Sequence, residues 1–217
     1  MNYTGHVSVG GPATVRELPA LAVTKVAVGP MDNNAYLLRC RTSGEQLLID
    51  AAAEPDRLVD LVGADGLAGV VTTHRHRDHW GALAAVVAAT GARTFAHPAD
   101  ADAIDVETDV FLQDGDALAF GRVTLAVVHL VGHTPGSVAL VYDDPEGEPH
   151  IFTGDCLFPG GVGAVNPPGT FADLYGSVVS KVFDRLPDET WVYPGHGDDT
   201  TLGRERPQLD EWAARGW

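Results

Sequence analysis

Thr73-His74-Arg75-His76-Arg77-Asp78-His79-Trp80-Gly81 is the stretch on which the reading of this chain turns. Three histidines and a carboxylate fall within six residues, His74 to His79. An apolar run before them, Leu67 to Val71, predicts a buried strand, and Ala82 to Ala89 after them predicts a helix. A strand-to-helix turn directs its side chains into one space. Imidazole and carboxylate are ligands for zinc, iron and manganese. His74 and His76, two apart on an extended tip, can grip one metal, and Asp78 with His79 can grip a second. Asp78 also has a purely structural reading, as the N-cap of a helix that stops at Gly91. Four such groups at one strand end favour metal binding over that reading.

The pattern His-x-His-x-Asp-His resembles the signature of the metallo-β-lactamase superfamily. That resemblance asks for three later ligands, and the chain offers His133 in Gly132-His133-Thr134-Pro135-Gly136-Ser137, Asp155 in Phe152-Thr153-Gly154-Asp155 and His196 in Pro194-Gly195-His196-Gly197. It implies that His74, His76 and His133 hold one metal, that Asp78, His79 and His196 hold the other, and that Asp155 bridges them. Two divalent ions are expected, zinc first, with iron or manganese as the alternatives. Held about 3.5–4 Å apart, such ions keep a hydroxide between them and stabilise charge at the attacked carbon. Asp78 and Asp155 are the expected catalytic carboxylates.

Composition agrees with an enzyme of small molecules. The 217 residues suit one domain, 1–217, with a sizeable core, and 45% are hydrophobic. The net charge of −16 argues against nucleic acid and anionic membranes as partners, which need basic patches. No apolar run approaches the ~20 residues that span a bilayer. No secretory signal is visible at the N-terminus, and two cysteines, Cys40 and Cys156, make no disulfide framework, so a cytoplasmic location is expected. The expected partner is a small-molecule substrate.

Strands are predicted over 22–28, 34–40 and 46–49, with Ser43-Gly44 turning between the last two. Pro55 to Val62 predicts a helix, followed by the strand 67–73, a helix over 79–90 and a short strand over 93–96. A helical turn is predicted over 97–103, then strands over 117–120, 123–129, 138–142 and 150–153. Residues 159–169 predict a loop, 171–186 a helix, 190–193 a strand, and 202–214 a last helix broken at Pro207. Mixed strands and helices with ligands at strand ends indicate an α+β class. The resemblance implies the four-layer αββα sandwich.

Within the superfamily the chain is most similar to hydroxyacylglutathione hydrolases (glyoxalase II). The blocks that carry this are Gly-His-Thr-Pro-Gly-Ser, Phe-Thr-Gly-Asp-x-Leu-Phe, Pro-Gly-His-Gly and the early strand Asn34-Ala35-Tyr36-Leu37-Leu38. The implied reaction is hydrolysis of an acyl or hydroxyacyl thioester. A thiolate of pKa ~8.5 leaves without a strong acid, and residues 156–172 carry no charged side chain to act as one. Other readings are a mononuclear iron persulfide dioxygenase, a lactonase or a β-lactamase. The resemblance also implies a C-terminal helical domain that helps to bind glutathione. Only 21 residues follow His196, so that domain is expected to be missing or reduced to one helix. The 156–172 loop offers Asn166 but no cation, and the chain has 12 Arg against 2 Lys, a bias of high-GC genomes, some of which use mycothiol. A small thiol other than glutathione is therefore the expected carrier. His129 is expected to pack or to support a ligand, Cys156 to be a small buried residue, and Arg75 and Arg77 to turn away from the metals or pair with acids. His6, His97 and His150 are expected to be structural.

Overall fold

The computed structural model describes residues 3–165, 167 and 169–216, so Asn166, which the sequence reading offers as a loop contact, lies outside the described residues. The first half of the chain builds one sheet. Its strands are β1 (Thr14–Glu17), β2 (Leu21–Val28), β3 (Asn33–Cys40), β4 (Gln46–Ile49), β5 (Gly69–Val71), β6 (Arg93–Ala96) and β7 (Val110–Phe111), lying in that order. β1 to β4 pair antiparallel, and β4 to β7 pair parallel. The second half supplies β8 (Ala117–Phe120), β9 (Val123–His129), β10 (Val138–Tyr142) and β11 (His150–Gly154). A hairpin of β12 (Leu157–Phe158) and β13 (Gly161–Val162) follows, then β14 (Trp191–Pro194) and β15 (Thr200–Thr201). The second sheet runs β15-β14-β11-β10-β9-β8, with β11 and β14 parallel.

Alternation along the strands produces the layers. In β3, Tyr36 and Leu38 face the second sheet, where Val127, Leu140, Phe152 and Tyr193 meet them. Ala35 and Leu37 face the other way, onto helices α1 (Pro55–Val62) and α2 (Leu83–Thr90). A strand buried on both faces reads as a continuous apolar run rather than as an alternating one, which is how Ala35 to Leu38 reads. On the far side, Ala139, Val141, Ile151 and Val192 pack under helix residues Leu174 and Val178 and under Trp212. Helices thus cover both outer faces of two stacked sheets, the expected αββα sandwich. Besides α1 and α2, the helices are α3 (Pro98–Ala101), α4 (Phe171–Val178), α5 (Leu202–Glu205) and α6 (Leu209–Arg215). No helix among the described residues is long and apolar enough to cross a membrane.

Several elements differ from the sequence reading. The helix predicted over 79–90 begins only at Leu83, because residues 77–79 form a tight 3-10 turn. The Ala82 amide is drawn onto the Ala51 carbonyl at 2.9 Å, which holds the chain against the end of β4 instead of letting it coil. Asp78 is therefore not an N-cap. The predicted stop at Gly91 is present, with φ 68°. The single helix predicted over 171–186 is α-helical to Val178 and then widens into a π turn over Val179–Phe183. The region predicted as a loop from 159 contributes Gly161–Val162 to a hairpin. β1, β7 and β15 have two to four residues each. Segments that short carry no readable period.

Away from the ligand cluster, His150 is 2% exposed, with Nδ1 3.0 Å from the Tyr193 hydroxyl. Burial, and then the nearby Arg16 charge, push its pKa down to about 4. The unfolded chain, at ~6.5, takes up a proton between those values that the folded chain refuses. Stability present in full above pH 6.5 is therefore lost as pH falls toward 4, by at most about 3 kcal/mol at ~1.36 kcal/mol per pH unit. Denaturant titrations between pH 4 and 7, with chelator present throughout, should show a shallower pH slope for His150→Phe. A variant as steep as the parent would contradict this.

Candidate metal centre

Four segments meet where strands of the two sheets end. The 72–79 turn leaves β5, the 130–137 turn joins β9 to β10, Asp155 follows β11, and His196 follows β14. Two glycines make the approach possible. A Cβ on Gly132, at φ 138°, would meet the Leu174 backbone nitrogen at 2.5 Å. One on Gly195 would fall on Asp155 Oδ1. Neither position tolerates a side chain without displacing a ligand-bearing loop.

All seven residues singled out in the sequence converge. His74, His76 and His133 form one group, and Asp78, His79 and His196 another, the ligand atoms of each lying within 4.8 Å of one another. In the first group His74 Nε2 lies 3.0 Å from His76 Nδ1 and 3.2 Å from His133 Nε2. In the second, His79 Nε2 and His196 Nε2 are 3.3 Å apart, with Asp78 Oδ2 3.6 and 3.4 Å from them. Asp155 touches both groups. Oδ2 is 3.7 Å from His133 Nε2 and 3.5 Å from His196 Nε2, and Oδ1 is 3.3 Å from His79 Nε2.

The far ring nitrogens explain why these atoms face inward. His79 Nδ1 lies 2.7 Å from Asp50 Oδ2, His133 Nδ1 2.6 Å from the Ala164 carbonyl, and His196 Nδ1 2.9 Å from the Met31 carbonyl. The Thr73 hydroxyl donates to Asp50 Oδ2, so it accepts from His74 Nδ1 at 3.1 Å. A neutral imidazole with its proton on Nδ1 has a bare lone pair on Nε2, and all four of these lone pairs point into the cluster. In that neutral form, with its Nδ1 proton committed to Asp50, His79 Nε2 has none to give to Asp155. Asp155 Oδ1 is accordingly buried with no hydrogen-bond donor. An orphaned carboxylate oxygen among inward lone pairs is a cavity for cations, so the residues present fit two metal ions. The donors are nitrogen and oxygen, with no thiolate, which suits zinc, iron or manganese.

The electrostatics point the same way. Burial, and then the surrounding histidines, hold His74 well below the usual histidine range. A proton competes with a metal for Nε2 of His79: burial opposes it, but the Asp50 and Asp155 carboxylates outweigh burial and lift the group to about 10. His196 is likewise raised to about 10, against burial, by Asp155 and Asp78. Asp78 is lowered by its contacts with His196 and Asn33, against burial. Asp155 is held far below the carboxylate range, against burial, by His196 and His79. Positive charge is stabilised around both carboxylates, whichever cation brings it.

Three residues that the sequence reading did not single out hold the ligands in place. Asp50 accepts from the Thr73 amide at 2.8 Å, from the Thr73 hydroxyl and from His79, fixing the first ligand turn. Its place directly after β4 is only a faint signal in the sequence. Asp100 is 1% exposed and accepts from the Arg75 amide at 3.0 Å, the Thr134 hydroxyl at 2.5 Å and the Gly136 amide at 2.9 Å. It ties the 74–79 turn to the His133 turn, and nothing local in the sequence marks it. Asn33 donates to Asp78 Oδ2 at 2.9 Å. Such supporting contacts orient ligands and tune a site.

The remaining candidates stay outside. Arg75 Nε is 4.0 Å from Asp100, and Arg77 pairs with Asp105 at 3.2 Å, both turned to acids. His129 stacks on His97, ring centres 3.9 Å apart, and reaches the Pro135 carbonyl at 2.8 Å, a packing role beside the His133 turn. His6 pairs with Asp198 at the surface. Cys156 is fully buried, and burial pushes its thiol far up, which removes it as a nucleophile.

The sequence model of the Metallo-beta-lactamase superfamily matches residues 28–196, the span from the end of β2 through His196. An uncharacterised protein of Aquifex aeolicus (strain VF5) is 32% identical over 86% of this chain and 94% of its own length. A hydroxyacylglutathione hydrolase of Polaromonas sp. is 37% identical over 76% of this chain. The matched region spans only 62% of that hydrolase's length. Among solved structures, TTHA1623 in a di-iron-bound form superposes with a TM-score of 0.69 at 37% identity, covering 84% of this chain and 96% of that one.

Proposed function

The chain belongs to the metallo-β-lactamase superfamily, a family of metal-dependent hydrolases, and from that premise we propose that it hydrolyses small-molecule thioesters with two metal ions. The observation that carries this is Asp155, which touches both ligand groups and has a buried oxygen without a donor. His74, His76 and His133 hold one ion in this reading, Asp78, His79 and His196 the other, with Asp155 shared. Bound there, the ions supply Lewis acidity and acidify a water molecule.

The chain's own groups do the rest. The Nδ1 anchors on Asp50, Thr73, Ala164 and Met31 keep four imidazoles aimed and their tautomers fixed. Asn33 holds Asp78 Oδ2 toward His79 and His196. Among the described residues no serine or cysteine nucleophile stands in the cluster, so in this reading water attacks directly and no acyl-enzyme forms. No charged side chain stands between Cys156 and Ala172, which favours a leaving group that departs as an anion, and a thiolate does so. The likeness to a hydroxyacylglutathione hydrolase supports the thioester. The same uncharged segment supports a carrier other than glutathione, whose two carboxylates have no partner there.

The test is one acyl group presented on glutathione, mycothiol and coenzyme A, beside a lactone and a β-lactam. The expected order places thioesters above both cyclic substrates, with glutathione not the best carrier. A tenfold preference for the glutathione thioester, about 1.4 kcal/mol in transition-state binding, would overturn the carrier, and faster lactone or β-lactam cleavage would overturn the substrate class.

A further inference from the structure

Beside Asp78 the surface opens into a cleft of about 400 Å³. Its apolar lining comes from Pro30 and Met31 in the β2–β3 turn, from Ala52 and Ala53 after β4, and from Gly81 after the ligand turn. Asn33, Asp78 and Arg77 line it too, so it is continuous with the second ligand group. Its walls are anchored. Glu54 Oε1 accepts from the Gly29 amide at 2.7 Å, and the Met31 carbonyl accepts from His196. Gly29, at φ 73°, and Gly81 let the walls close up, since a Cβ on either would come within 2.8 Å of Ala53 Cβ or the Ala52 carbonyl.

Two features of this cleft ask for an apolar occupant. Met31 is 59% exposed, the most exposed of the large apolar side chains among the described residues, although its backbone is held in place. A thioether is soft and adapts to an apolar ligand. The polar side chains of the cleft are engaged already. Asn33 Nδ2 contacts Asp78 and lies 3.3 Å from His196, and Arg77 is paired with Asp105.

We propose that this cleft receives the acyl group, and that the enzyme acts on thioesters of unbranched aliphatic acids in preference to 2-hydroxy acids. The proposal rests on the thioester reading for the bond cleaved, but not for the cleft. An acyl carbon at the cluster has its chain beside Asp78, along the Met31 wall, with the thiol leaving on the other side. Each methylene buried there raises kcat/KM about fourfold.

The experiment has a kinetic arm and a binding arm. Acetyl, propanoyl, butanoyl, hexanoyl and lactoyl esters of N-acetylcysteamine are compared on the zinc-loaded protein. Butanoyl, with two more methylenes, should exceed acetyl roughly fifteenfold in kcat/KM, and lactoyl should fall below propanoyl. Met31→Asp should flatten the chain-length series, and Met31→Leu should restore it. Calorimetry with acetate, butanoate and hexanoate reads the cleft whichever bond the enzyme cleaves. Hexanoate should bind at least tenfold more tightly than acetate, and Met31→Asp should abolish the difference. Tight hexanoate binding without turnover of any thioester would leave the cleft standing and overturn the thioesterase reading. Equal binding of the three carboxylates, or a chain-length series unchanged by Met31→Asp, would overturn the cleft.

Discussion

Asp155→Ala should reduce the bound metal from two ions per chain to less than one and lower kcat/KM on the order of 10³-fold or more. Among the described residues, Asp155 is the carboxylate that touches both ligand groups, 3.7 Å from His133 Nε2 and 3.5 Å from His196 Nε2. Without it each group keeps three neutral or singly charged donors, and the like charges of two neighbouring ions lose the anion between them. His76→Ala removes a ligand from the first group alone and should cost one ion. Elemental analysis beside thermal unfolding separates metal loss from misfolding. An Asp155→Ala protein that keeps two ions would show that the carboxylate is not shared.

Lys25→Met should cost about 3–5 kcal/mol of stability, the range for stripping one partner from a buried ion pair. Lys25 and Asp199 are each 0% exposed at the side chain and 2.6 Å apart. Burial lowers the lysine and raises the aspartate, as expected of charges withdrawn from water. Lys25 Nζ also donates to the carbonyls of Gly5 and Gly197, both at 2.7 Å, and Asp199 Oδ2 takes the Tyr3 hydroxyl and the Trp191 indole. Gly197 adjoins His196, and Asn34 and Tyr36 hold the Pro194 carbonyl on the other side of it. The pair is thus built into the base of the turn that carries a ligand. In the proposed two-metal centre, the ion assigned to Asp78, His79 and His196 should therefore dissociate from Lys25→Met before the other does. Lys25→Met/Asp199→Leu should recover part of the loss, because it leaves no unpaired charge. Denaturant midpoints decide it, and a single-variant loss below 1 kcal/mol would contradict the account.

Much of this architecture is legible in residue order, for physical reasons. Strands such as Leu21–Val28 and Asn33–Cys40 are long, largely apolar and bounded by turns that contain proline or glycine, and helix α1 opens on a proline and ends at a glycine. The ligand turn is legible because four metal-binding groups stand together, and His133, Asp155 and His196 through the resemblance of the blocks around them to the family's pattern. What escapes the sequence is long-range. Asp100 reads as one acid in an acidic, alanine-rich stretch until the fold lays it between two ligand turns. Lys25 reads as an exposed residue in a strand until the 194–199 turn closes over it. The start of α2 is misplaced because an amide contact with Ala51, distant in sequence, overrides the local helical preference. Met31 and the alanines of the cleft carry no pattern at all, since an apolar wall is defined by what faces it.

Elemental analysis of protein purified without chelator tests the central claim most directly. Two zinc, iron or manganese ions per chain, falling to about one in His76→Ala and below one in Asp155→Ala, are the expected result. One iron per chain, with oxygen consumed on a persulfide substrate, would contradict it and make the protein an oxidoreductase.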